Sequence, residues 1–449
     1  MTLFRTAILL LLALGCLRPV HADLSVHFPQ NFRWCVASAA HQVEGGDTNS
    51  DWADWEQVPG HIKNGEKSGA ACDEWNRVAE DIGLMKNLGA GVYRFSVEWS
   101  KIEPAENQYD TNAIAHYQHE VELLQNAGME PLITLHHFTL PRWLRAKGGW
   151  EWDGSGEAFS RFAELVYREI APGARDWVTF NEPMVHIMGG YYEGATPPGE
   201  HRSMSGIIPP LRGLLKAHAI AYHALHSAAK TLGFPIRVGM AHHLRTFDPF
   251  DPGSTTDMMM TNLVDTAWNR TVPDALESGR LVLHMLWLAN DDEEIPDLEG
   301  TQDFLGVNYY TGDLIESSLS QGFIKHNRSD FPKNDLGWDI YPEGFYRVLH
   351  TATGRYANKP IIITENGIAD AADSKRPAFL RDHLSYLAKA IDDGIPVEGY
   401  CHWSLMDNFE WTEGFTPRFG LYSVDYQTFA RTPRPSAGLF HDIIANGGF

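Results

Sequence analysis

Cysteine is scarce in this chain of 449 residues, which has four thiols: Cys16, Cys35, Cys72 and Cys401. So few excludes a disulfide-stapled scaffold, and their spacing matches no zinc pattern. Cys35 and Cys401 fall in the first and last predicted strands. A bridge is open to them, but free thiols are the expected state. Basic residues are also short: 36 Lys and Arg stand against 58 Asp and Glu, for a net charge of −22. Such a surface does not suit nucleic acid or anionic lipid. Long apolar runs are missing too. The one near the start, Ala7 to Leu14, is too short to span a bilayer. With Arg5 before it and Val20-His21-Ala22 after it, residues 1–22 read as a secretory signal cleaved before Asp23, so that the mature chain is exported. Lipoprotein processing at Cys16, after Leu14-Gly15, is the alternative, weakened by Ala13 where a leucine is expected. No internal repeat or low-complexity linker divides residues 23–449.

What is present is a series of short apolar strands. Ile361-Ile362-Ile363-Thr364-Glu365-Asn366-Gly367 is a β-branched run that ends abruptly in a carboxylate, as a strand buried on both faces would. Trp177-Val178-Thr179-Phe180-Asn181-Glu182-Pro183 repeats the design, with a proline that ends ladder bonding. Further strands are expected at 32–37, 92–96, 131–135, 236–242, 304–308 and 397–403. Helices are expected between them, from Asp73 to Leu88, Thr111 to Asn126, Gly156 to Ile170, about Pro210 to Leu232, Gly344 to Tyr356, Pro377 to Asp393 and Pro435 to Ala445. Eight strands alternating with helices predict an α/β protein, a single (β/α)8 TIM barrel. The stretch from Asp248 to Asp303 follows no clear pattern.

In such a barrel the chemistry sits at the C-terminal ends of the strands, where both Glu182 and Glu365 fall. Two carboxyl groups facing each other across the mouth suit glycoside hydrolysis, one protonating the leaving oxygen and the other attacking the anomeric carbon or activating water. Arg94 lies mid-strand among apolar residues, so its charge needs a buried anion. With Arg94 and Tyr310 beside it, Glu365 is expected to be the ionised nucleophile. Glu182, next to that charge, is expected to keep its proton and serve as acid/base. His136 and His137 are adjacent on a strand and point opposite ways, which argues against a metal pair. His218, His223 and His226 lie on one helix and read as packing residues. No cofactor or metal is called for.

These residues resemble the motifs of glycoside hydrolase family 1, the β-glucosidase family. The likeness spans Thr179 to Pro183 and Ile363 to Gly367, and also Ser38 to Gly45, Tyr93 to Ser96, Leu135 to Phe138, Asn308 to Tyr310, Gly337 to Gly344 and His402 to Trp411. The resemblance implies a retaining, exo-acting β-glycosidase working by double displacement on a small-molecule or oligosaccharide β-glycoside. It implies that Gln42, His137, Asn181, Glu410 and Trp411 bind the terminal sugar. Arg94, Asn308 and Tyr310 would then support the nucleophile, and Trp338 and Trp403 would form apolar platforms. Phe138 stands where many members have Trp, and Val97-Glu98-Trp99 replaces the commoner Ile-Ser-Trp. Glu410-Trp411 occupies the place of a phosphate-binding set, so an unphosphorylated sugar is implied. Sugar transfer to an alcohol uses the same pair. A non-catalytic sugar-binding protein is the reading from another class.

Overall fold

The computed structural model describes residues 25–286, 288–356 and 359–449. The signal-like segment and Cys16 lie outside the described residues. Eight parallel strands close into a barrel in the order β1-β8-β7-β6-β5-β4-β3-β2. They are β1 (Arg33–Ala37), β2 (Val92–Ser96), β3 (Glu130–His136), β4 (Asp176–Asn181), β5 (Arg237–His243), β6 (Phe304–Tyr309), β7 (Ile361–Asn366) and β8 (Val397–Trp403). Every strand position predicted from the apolar runs is occupied, within a residue or two. Alternation divides the core. In β7, Ile361 and Ile363 pack outward against helices, while Ile362 joins Val92, Leu132 and Phe304 inside the barrel.

The helices that cover the barrel are α1 (Val78–Leu88), α2 (Thr111–Asn126), α3 (Ser155–Leu165), α4 (Ile208–Leu232), α5 (Thr255–Asp265), α6 (Thr271–Ser278), α7 (Pro342–Arg355), α8 (Arg376–Asp392) and α9 (Pro435–Asn446). Asp110 caps α2 by accepting from the backbone N–H groups of Asn112 and Ala113. Helix α1 starts four residues later than a cap at Asp73 would set it. Asp73 adopts a left-handed conformation and spends its carboxylate on Asn76 and Arg77 instead of on a helix N-terminus. The unpatterned stretch from Asp248 to Asp303 holds α5, α6 and an antiparallel strand pair, Arg280–His284 with Asn290–Glu294, whose Leu281 and Leu283 are buried.

The expectation of free thiols is corrected. Cys35 and Cys401 form a disulfide, with Cα atoms 4.1 Å apart. Strand register explains it: β1 lies parallel to β8 with Cys35 directly opposite Cys401, so the two side chains meet on one face. Cys72 is free and buried. His218 packs between elements as predicted, its ring nitrogens 2.7 Å from Thr179 Oγ1 and 2.7 Å from the Thr301 carbonyl.

The N-terminal end of the barrel is closed by charge. Fully buried Asp176, at the start of β4, accepts from Arg33 at 2.5 Å and Arg237 at 2.7 Å. Those arginines also reach Glu130 at 2.7 Å and Glu398 at 2.6 Å. Five strands are thereby tied by one alternating chain of ions.

Candidate active site

At the opposite end, a cavity of about 410 Å³ opens at the C-terminal tips of the strands, lined among others by Glu182, Glu365, His137 and Trp411. Strict alternation along β7 would send Glu365 outward with Ile361 and Ile363. The pairing of β7 with β6 shifts register between Ile363 and Glu365, and this irregularity turns the carboxylate into the mouth. Gly367 is needed just beyond, because a Cβ there would lie 1.8 Å from the Trp403 carbonyl oxygen. The other acid is aimed by a comparable device. The β4–β5 pairing shifts between Val178 and Asn181, and Glu182 follows in a left-handed conformation with φ of 45°. Its N–H is held by the Ala241 carbonyl at 2.7 Å, and Pro183 starts a short helix, Pro183–Ile187. A left-handed non-glycine residue at a cleft is costly backbone that its surroundings must hold in place.

Arg94 finds the buried anion that its position demanded. Its Nη1 donates to Glu365 Oε1 at 2.6 Å and to the Thr364 carbonyl at 2.8 Å. Nη2 donates to Asn181 Oδ1 at 2.6 Å. The Tyr310 hydroxyl donates to Glu365 Oε2 at 2.6 Å, so each carboxylate oxygen has one fixed donor. Burial and then the charge of Glu365 hold the Tyr310 phenol well above its usual range, so it stays a donor. Asn308 lies opposite Glu365 in the register of β6 and β7, but its amide does not support that residue. It donates to Glu182 Oε1 at 2.9 Å and Asn181 Oδ1 at 3.1 Å, while its own oxygen accepts from Thr364. The register fixes the position of Asn308, and its rotamer decides which acid it serves.

The two acids have different neighbours. Burial first, and the charge of Glu365 second, push the Glu182 carboxyl up to about 8. The Asn308 hydrogen bond and Arg94 oppose that rise without cancelling it. Glu182 is therefore protonated at neutral pH, beside a carboxylate paired with a cation. Glu410 is raised to about 8 as well, by burial and then by Glu365.

One wall of the cavity is polar. Gln42 Nε2 donates to Asn408 Oδ1 at 2.9 Å and to the Phe409 carbonyl at 2.8 Å, with Glu410 Oε2 at 3.4 Å. That leaves Gln42 Oε1 without a protein partner. His137 faces the cavity and His136 faces away, packed against Trp150 and Phe180. Burial and then Arg94 hold the His137 imidazole well below its usual range, hence neutral. Its Nε2 accepts from Asn181 Nδ2 at 3.1 Å, which places the ring proton on Nδ1. Aromatic faces complete the wall. Trp403 stacks on His137 with centroids 5.9 Å apart, and Trp411 stacks on His137 at 5.8 Å. Trp338 lies across the mouth, edge-on to Tyr310 at 6.0 Å. All twelve predicted site residues thus fall in or directly around one cavity.

Sequence reasoning missed the opposite wall: Met188, His243, Arg245, Trp268 and Phe419 also line the cavity. Trp268 belongs to the unpatterned stretch, and its indole N–H is pinned to the His243 carbonyl at 3.0 Å. An isolated tryptophan in a methionine-rich segment was the available signal. His41 was missed too. It lies beneath Trp411, between Asp47 and Glu56. Among the described residues no group of three or more His, Cys, Asp or Glu side chains is arranged to hold a metal ion.

Comparison with known proteins agrees with this geometry. The family model described as glycosyl hydrolase family 1 matches residues 24–449. A 1,4-β-D-glucan glucohydrolase of Thermotoga neapolitana is 31% identical over 94% of this chain and 99% of its own length. The structure of a β-glycosidase from Pyrococcus horikoshii superposes with a TM-score of 0.87 at 36% identity, covering 95% of this chain and 96% of that one. A β-glucosidase from Thermotoga maritima in complex with galacto-hydroximolactam gives a TM-score of 0.88 at 30% identity, covering 94% and 99%.

Proposed function

Because the chain belongs to glycosyl hydrolase family 1 and is a retaining β-glycosidase, we propose that Glu365 is its nucleophile, Glu182 its acid/base, and a terminal unphosphorylated β-D-glucoside its substrate. The observation that carries the assignment is the asymmetry between the acids. Arg94 and Tyr310 converge on Glu365, whereas Glu182 keeps its proton to about pH 8. Glu365, with both oxygens oriented, attacks the anomeric carbon as Glu182 protonates the departing oxygen. A glycosyl ester forms with inversion. Deprotonated Glu182 then draws a proton from water, which attacks the same carbon and inverts it again.

Asn181 supports the first step through its link to Arg94, and it is placed to meet a sugar hydroxyl beside the reacting carbon, a contact that strengthens as positive charge develops. Gln42, His137 and Glu410 serve the remaining hydroxyls, with Trp403 and Trp411 against the apolar faces of the ring. Among the described residues that line the cavity the one arginine, Arg245, is committed to Asp313 and is not free for a sugar phosphate. A galacto-configured inhibitor bound to a related β-glucosidase keeps galactosides in view as secondary substrates. The lead of residues 1–22 and the Cys35–Cys401 bridge both support export to an oxidising compartment, with cleavage near Ala22. N-terminal sequencing of the exported protein tests the cleavage site, and a start at a lipidated Cys16 would overturn it.

The roles are tested by rescue with azide on a dinitrophenyl β-glucoside. Glu365→Ala should release the α-glucosyl azide, the product of one inversion. Glu182→Ala should form the intermediate and release the β-glucosyl azide, the product of two. The reverse pattern would overturn the assignment. A panel of p-nitrophenyl β-glycosides checks the sugar, and a kcat/KM for the galactoside or fucoside above that for the glucoside would displace glucose as the preferred ring.

A further inference from the structure

Beside the catalytic cavity lies a second chamber of about 320 Å³. Met188, Glu193, Arg245 and Trp268 line both, so the two spaces share a wall. Its lining is unusual in kind: Met184, Met188, Met204, Met260 and Met285 are five of the chain's 12 methionines, and Phe247, Val264 and Phe323 add to them. Methionine is unbranched and polarisable, so a methionine-lined space adapts to apolar guests of differing outline. The charges around it are already committed or lie at the edge, Arg245 being paired to Asp313 at 2.9 Å. Tyr192 and Leu288, also on its lining, keep 39% and 44% of their surface exposed, which leaves apolar area uncovered.

The position of the chamber relative to the acids decides what belongs in it. Met184 and Met188 come soon after Glu182, on and just after the short helix that begins at Pro183. None of the sugar-wall residues, Gln42, His137, Glu410 or Trp411, lines it. The chamber is therefore on the side of the acid/base, which is the side from which a protonated leaving group departs.

We propose that this methionine-lined chamber is a leaving-group subsite that selects β-glycosides of hydrophobic alcohols, with an alkyl chain or aryl group passing Trp268 to reach it. The inference rests on the β-glycosidase reading above and adds the class of aglycone. An apolar aglycone buried there is removed from water, a gain of about fourfold per methylene while the chamber fills.

The test is kcat/KM along a series of n-alkyl β-D-glucosides, from methyl to octyl, for the wild type, Met260→Lys and Ala267→Trp. The first variant places a charge in the chamber and the second fills it. The wild type should gain severalfold for each added methylene after the chain passes Trp268. Both variants should flatten that rise while keeping the methyl glucoside rate within about twofold, which also shows that they fold. A wild-type series without a rise, or a variant series with the wild-type slope, would overturn the subsite and leave the glycosidase assignment intact. Failure of the wild type to cleave any glucoside, p-nitrophenyl glucoside included, would remove both.

Discussion

The imidazole of His41 lies parallel to the indole of Trp411, with ring centroids 5.5 Å apart and planes 6° apart. The ring nitrogens are held by Asp47 at 2.8 Å and Glu56 at 2.7 Å, both carboxylates buried. Burial alone would lower the His41 pKa, but the hydrogen bonds and charges of Asp47 and Glu56 outweigh it and lift it to about 10. At neutral pH a cation thus sits under one face of a sugar-wall aromatic whose backbone is itself left-handed, with φ of 52°.

His41→Gln should destabilise the fold by about 3–5 kcal/mol, because two buried carboxylates lose their cation. A group whose pKa is raised on folding contributes fully below its unfolded value near 6.5 and loses that contribution as pH rises through its folded value. Thermal denaturation from pH 7 to 10.5 should therefore show the wild type losing stability that the variant never had. Parallel curves would count against a charged His41.

Glu182 sets a second expectation. The kcat/KM of the free enzyme should fall as pH rises through about 8, when the general acid loses its proton. Because Glu410 titrates in the same range, variants must separate the two. The alkaline limb should persist in Glu410→Gln and disappear in Glu182→Gln. Glu365→Gln should lower the Glu182 pKa by removing the neighbouring negative charge, readable by carbon NMR of labelled glutamate.

Tyr310→Phe removes one of the two donors on Glu365. A hydrogen bond to a charged group is worth about 1.5–3 kcal/mol, so kcat/KM should fall about 10- to 150-fold. Steady-state kinetics with p-nitrophenyl β-glucoside measures it. A change in KM alone would mean that the phenol serves binding and not the nucleophile.

The fold and the acid pair were largely legible in the chain, because each rests on a strong local rule. A β-branched run that stops at Glu suits a buried strand with an acid at its tip, and a mid-strand arginine must have a buried anion, which proved to be Glu365. The Cys35–Cys401 bridge was misread because it depends on which residues stand opposite each other, and counting thiols does not reveal register. Asn308 was placed in the right strand, opposite Glu365, but its amide donates to Glu182, since a side-chain rotation lies below the resolution of any pattern. The methionine-lined chamber was invisible because its walls come from several separate segments, none with a motif of its own.

The bridge supplies a further prediction. Cys35→Ala with Cys401→Ala should lower stability by about 2–4 kcal/mol. Denaturation in urea, with and without reductant present during refolding, should show reduced wild type and the double variant together at the lower midpoint. Wild type refolding to the same midpoint under both conditions would show that the cross-link contributes nothing.

The alternating ions around Asp176 occupy the end of the barrel away from the cavity, so substrate approaches from the C-terminal tips of the strands. A glycoside enters sugar first, and its terminal ring is the one released. Departure then runs in the reverse order of arrival. The alcohol clears the passage before the water-attacked sugar can follow, so freed sugar waits where the next substrate must sit and competes with it directly.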